Sequence, residues 1–81
     1  MEQQEQQDVK YYVRNVVSMG WIDISNKGKR YNEVIKWYAD DNWSYYSISR
    51  HKWMKAAGTF NHRGRKNCKE ISEKQAFIEM L

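Results

Sequence analysis

Few side chains in this sequence are placed for bond-making chemistry. Asp40 and Asp41 are adjacent acids in a polar stretch, and a turn there sends their carboxylates apart instead of into one acid–base site. The soft metal donors are His51, His62 and Cys68, separated by ten and then five residues. Zinc needs three or four converging ligands, commonly in closely spaced pairs, and no such pair is present. No serine has a recognisable base partner, and no glycine run resembles a phosphate cradle. The sequence therefore reads as a protein that is not an enzyme, with no metal and no cofactor. What its residues suit is binding.

The densest binding signal is Asn42 to Lys55, NWSYYSISRHKWMK. It holds two Trp, two Tyr, one Met and four basic or imidazole side chains in fourteen residues. Trp, Tyr, Met and Arg are enriched where a partner desolvates a protein surface. Flat aromatics beside cations also suit single-stranded nucleic acid. The expected anchors are Trp43, Tyr46, Arg50 and Trp53, with Lys52 and Lys55 steering an acidic partner. A second cationic cluster, Arg63, Arg65 and Lys66, is a candidate contact for nucleic acid or an acidic protein.

Charge supports an acidic partner. The net charge is +4, and residues 29–70 carry ten basic and four acidic side chains, a local +6. Such a basic middle fits nucleic acid, an anionic membrane surface or an acidic protein. One unpaired cysteine suits a reducing compartment, and no apolar run approaches the roughly 20 residues that span a bilayer. The N-terminal MEQQEQQD is acidic and Gln-rich, the reverse of a secretory signal. The expected location is the cytoplasm. Oligomeric state stays open.

Helices are the expected scaffold, because proline is absent and no strand-like alternation persists. Residues 1–7 read as a frayed polar start, and residues 8–81 as one helical domain. Val9, Tyr12, Val13, Val16 and Val17 recur at helical spacing before Gly20 supplies a left-handed stop. Trp21, Ile22 and Ile24 form a link expected to cover the core, and Ser25-Asn26-Lys27-Gly28 a turn. A second helix is expected over Arg30–Asp40 with the stripe Tyr31, Val34, Ile35, Tyr38. A third is expected from a Ser44 cap to Ala57. Ser72-Glu73-Lys74-Gln75 is a capping box opening a fourth. The fold class predicted is all-α, a small bundle or orthogonal array of about four short helices.

On that scaffold Tyr38–Arg50 also reads as a helix-turn-helix, with Asn42 in the turn, Ser44 as cap and Ile48 inward. Ser44, Tyr45, Ser47, Arg50 and His51 would then face a major groove. The alternative function is thus a DNA-binding transcriptional regulator.

The block Tyr31–His62 carries Trp37-Tyr38, Asn42-Trp43, Ile48, Arg50-His51-Lys52 and Gly58-Thr59-Phe60. In these landmarks it resembles the small cytoplasmic regulators of T-even-type bacteriophages, above all cytoplasmic antiholins of the RIII type. The resemblance implies a non-enzymatic inhibitor in the host cytoplasm that binds the cytoplasmic part of a holin and delays lysis. It carries over no site residue. The expected function is regulation by protein–protein contact, with an acidic or amphipathic partner such as a holin segment.

Overall fold

The computed structural model describes residues 9–21 and 23–81. The frayed start expected for residues 1–7, and the place of Ile22 in the link, lie outside the described residues. The chain is built on five strands: β1 (Lys10–Val17), β2 (Arg30–Ala39), β3 (Asn42–Ser47), β4 (Lys52–Lys55) and β5 (Lys69–Ile71). They form one antiparallel sheet in the order β4-β3-β2-β1-β5. Two short helices, α1 (His62–Lys66) and α2 (Glu73–Glu79), accompany it. The all-α expectation is overturned. Three of the four expected helices are strands, and the Ser44–Ala57 helix is the β3–β4 hairpin.

The physical reason lies in how the sheet is covered. Strand side chains alternate between faces, and here both faces bury apolar groups. Tyr12, Ile35, Trp43 and Phe60 form the core on the inner face. Phe60 comes from the connection after β4. Its ring sits edge-on to Tyr12 at 5.6 Å and beside Trp43 at 5.0 Å. On the outer face α2 packs on β1 and β2, where Val34 and Ala76 are buried. Val34 and Ile35 are neighbours in sequence but point to opposite layers. Apolar residues therefore occur in pairs, which imitates helical spacing and hides the alternation.

The local signals for turns and caps are realised more directly. Ser72 Oγ accepts from the Gln75 amide at 3.0 Å and opens α2. The reciprocal Gln75 contact is absent, since its side-chain amide donates to Glu79 instead. Gly20, Gly28 and Gly58 have positive φ. At Gly20 contact also excludes a side chain, because a Cβ would lie 2.8 Å from that of Lys27. Ser44, expected as a cap, sits mid-strand between Lys36 and Lys55.

The β1–β2 ladder runs out to Val17↔Arg30, whereas β5 pairs only with Tyr11–Val13 and β3 stops at Ile35↔Tyr45. Residues 15–32 therefore project as a two-stranded arm in which no described residue is buried. Trp21 and Ile24, expected to cover the core, are 86% and 77% exposed there.

Candidate functional site

The registers place one row of side chains across the outer face, Ile71, Tyr11, Lys36, Ser44 and Lys55, from β5 to β4. The next row ends in Tyr46 and Trp53, which face each other across β3 and β4. Their rings meet edge to face at 5.5 Å and 71°. Tyr11 approaches Trp53 from the far side at 6.4 Å. Lys36 lies at the centre, its Nζ 4.7 Å from the Trp53 ring and 5.9 Å from that of Tyr38. Lys55 donates to Asn42 Oδ1 at 2.8 Å. Half-buried aromatic rings thus gather around the Lys36 ammonium group.

Electrostatics at the rim follow from burial. Desolvation, reinforced by the Glu73 and Tyr38 oxygens, pushes the Tyr11 hydroxyl above the ordinary tyrosine range. That hydroxyl donates to Glu73 Oε2 at 3.4 Å, tying α2 to the edge of the cluster. A cation over an indole face is held by the ring quadrupole, and each such contact contributes about 0.5–1 kcal/mol when partly exposed.

The expected anchors divide. Tyr46 and Trp53 come together as described. Trp43 lies on the inner face, 7% exposed, with Nε1 donating to the Gly58 carbonyl at 3.3 Å. It belongs to the core, because β3 alternation sends it opposite to Tyr46. Arg50 is in the β3–β4 turn and lines a groove beneath the arm with Arg14, Tyr31, Glu33 and Tyr45. Lys52 follows the register of Ser47 onto the inner-face side and is exposed; Lys55 is in the outer row. Of the four expected anchors, two stand together on the outer face, with Lys55 beside them.

The basic cluster divides as well. Arg63 and Lys66 are exposed on α1. Arg65 folds inward. Its Nη1 donates to Asp40 Oδ1 at 2.6 Å and to the Phe60 carbonyl at 2.7 Å, and its guanidinium lies 4.5 Å from the Trp37 ring centre. It is a structural strap. Asp40, read as a free turn acid, is its partner.

Sequence reasoning missed Lys36, Tyr38 and Tyr11. Lys36 and Tyr38 are two apart on one strand, so the signal was strand alternation, which the helical reading discarded. Among the described residues no three His, Cys, Asp or Glu side chains converge on a metal position. No helix among them is long and apolar enough to cross a membrane. The helix-turn-helix expected at Tyr38–Arg50 is instead the β2–β3 hairpin and the turn after it, so no recognition helix is formed. Comparison with known proteins finds no family model, no curated protein and no solved structure that matches this chain.

Proposed function

We propose that this is a non-catalytic regulatory protein that acts by contact with an acidic partner protein, seated on the outer face of β2–β4. The observation that carries the reading is the Tyr46–Trp53 pair with Lys36 and Lys55 on one stretch of open sheet. Aromatic anchors flanked by cations are the residue types that dominate binding energy at protein contacts. The arrangement favours a protein over stacked bases. A base needs a free ring face, and Lys36 takes one face of Trp53 while Tyr46 presents its ring edge-on. The narrower form, suggested by the resemblance of residues 31–62, is binding to the cytoplasmic part of a phage holin with delay of lysis.

The test is affinity capture with quantitation, comparing the native chain with Tyr46→Ala and with Lys36→Gln/Lys55→Gln. Arg50→Ala serves as a control off the face. A partner held by the native chain and by Arg50→Ala, and lost with the other two, supports the reading. Capture that is unchanged in the face variants removes it. A gel-shift with single-stranded and duplex DNA runs alongside, and a salt-sensitive shift lost in the face variants favours nucleic acid instead. Co-expression with a candidate holin, timing lysis, tests the narrower form.

A further inference from the structure

The arm ends in an apolar tip that the proposed contact face does not use. Val17, Met19, Trp21 and Ile24 are 43%, 63%, 86% and 77% exposed. Behind them stand Lys27, Lys29 and Arg30, all exposed, against a single acid, Asp23. We propose that this tip is a membrane-surface anchor, inserting Trp21, Ile24 and Met19 into the headgroup region of an anionic lipid bilayer while the basic residues behind it meet the lipid charges.

Three observations favour a bilayer. First, the apolar groups crown the end of a projecting ribbon. Met19, Trp21 and Ile24 keep most of their surface in water, so a soft medium that closes around the loop can take all three. Trp is the side chain most at home at the water–lipid boundary. Second, the charge order is right: apolar end outermost, cations one step behind, where attraction to anionic lipids acts within a Debye length.

Third, much of the backbone flanking the inserting side chains is already bonded within the tip. Ser18 N–H donates to the Lys29 carbonyl and Gly28 N–H to the Ser18 carbonyl, each at 2.8 Å. The amides of Gly20, Ser25, Asn26, Lys27 and Lys29 also have acceptors within the tip. Asp23 is engaged by the Ser25 hydroxyl at 2.6 Å and the Asn26 amide at 2.8 Å. Groups bonded internally lose little when water is withdrawn, and unbonded backbone is what the lipid phase penalises.

The experiment is flotation of the full chain with vesicles of phosphatidylcholine alone and of phosphatidylcholine containing a third phosphatidylglycerol. Binding is expected to the anionic vesicles and not to the neutral ones. Trp21→Ser and Ile24→Ser should each weaken it about 10-fold or more. Lys27→Gln/Lys29→Gln should weaken it roughly 30-fold, at about a tenfold per 1.4 kcal/mol and about 1 kcal/mol per basic residue near the surface. These side chains are exposed, so the variants keep the native circular dichroism and urea midpoint. Indole emission should shift to the blue on anionic vesicles in the native chain and not in Trp21→Ser, which keeps the other three tryptophans.

No flotation with anionic vesicles, equal flotation with neutral ones, or undiminished binding by Trp21→Ser overturns the proposal. So does a tip that leaves vesicles alone and binds a short DNA duplex through the same residues. The readout is lipid binding, so it can fail while partner capture by the sheet face succeeds, and the reverse.

Discussion

Replacing Arg65 by Ala tests whether the inner face is held as described. Three interactions are lost together. The first is the charge-assisted hydrogen bond from Nη1 to the Phe60 carbonyl at 2.7 Å, a type that contributes about 1.5–3 kcal/mol. The second is the ion pair with Asp40, whose side chain is 52% exposed. Solvent screening discounts it to about 0.5 kcal/mol. The third is the guanidinium over Trp37, about 0.5–1 kcal/mol. Part of the loss is recovered when water reaches the freed carbonyl, so the expected cost is about 2–3 kcal/mol. For a chain of this size that lowers Tm by roughly 10–20 °C.

The assay is urea unfolding followed by circular dichroism, with Arg63→Ala and Asp40→Asn as comparators. Arg63 is exposed and forms no ion pair among the described residues, so its loss should stay within about 0.5 kcal/mol. Asp40→Asn removes only the screened pair and should cost about 0.5 kcal/mol. Arg65→Lys keeps the charge but not the planar fork, and should fall between the extremes. Native-state exchange at the Phe60 amide, which donates to the Asp40 carbonyl at 2.7 Å, should quicken in Arg65→Ala. An Arg65→Ala midpoint equal to that of Arg63→Ala would refute the strap and return Arg65 to the surface cluster.

Trp43→Ala should cost about 3–5 kcal/mol by emptying the core, whereas Tyr46→Ala, half-buried on the outer face, should cost clearly less; parallel urea melts separate them. His51 has φ 56°, a left-handed conformation that glycine adopts without steric cost, so His51→Gly should leave stability unchanged or raise it by up to about 1 kcal/mol. Burial pushes the Cys68 thiol above its usual range. The raised folded value favours the protonated native state, an effect present below the unfolded pKa and lost as pH rises through the folded one. Alkylation by iodoacetamide at mildly alkaline pH should accordingly be slower than for the urea-unfolded chain. Hydrogen bonds from the Ser25 hydroxyl and then its amide hold the Asp23 carboxyl below the usual aspartate range. Its support for the tip is present above the unfolded pKa and fades as pH falls through the folded one. Ser25→Ala should move the Asp23 titration upward by NMR.

The elements set by chemistry within a few residues were legible. Ser72 caps α2, Gly20 and Gly28 take left-handed turns, and Asp40-Asp41 turns the chain between β2 and β3. What was not legible depends on what lies across the sheet. Val9 to Val17 scores as a helix because Tyr12 and Val13 serve opposite faces, and Val34-Ile35 does the same in β2. The β-branched and aromatic richness of both stretches argued for strands, but the expected alternation was absent because two layers are filled. On a helical wheel the apolar and aromatic residues of Ser44–Ala57 spread over about half the circumference, where roughly 100° suffices. That excess width was itself the strand signature. The helical expectation grouped Trp43 with Tyr46 as anchors, whereas a period of two separates them.

The position of the candidate surfaces follows from how far the cover extends. A single sheet has two faces to shield, and this chain has little with which to shield them. The Phe60 connection and α1 serve the inner face, and α2 packs on β1 and β2 of the outer one. Twelve aromatic residues are more than such a core can take. Only Tyr12, Trp43 and Phe60 among those described are buried. Five of the other nine gather at two places. Tyr11, Tyr38, Tyr46 and Trp53 collect beyond the edge of α2, and Trp21 stands at the end of the arm, beyond the last strands to pair with β1 and β2. Lysines accompany both groups, which keeps exposed aromatic surface soluble in the free protein and gives an acidic counterpart something to meet. An uncovered sheet that served only as scaffold would place small polar side chains in these positions. Replacing Tyr46 by Thr and Trp21 by Ser, both compatible with strand or turn, should therefore cost little stability and remove binding, each at its own surface.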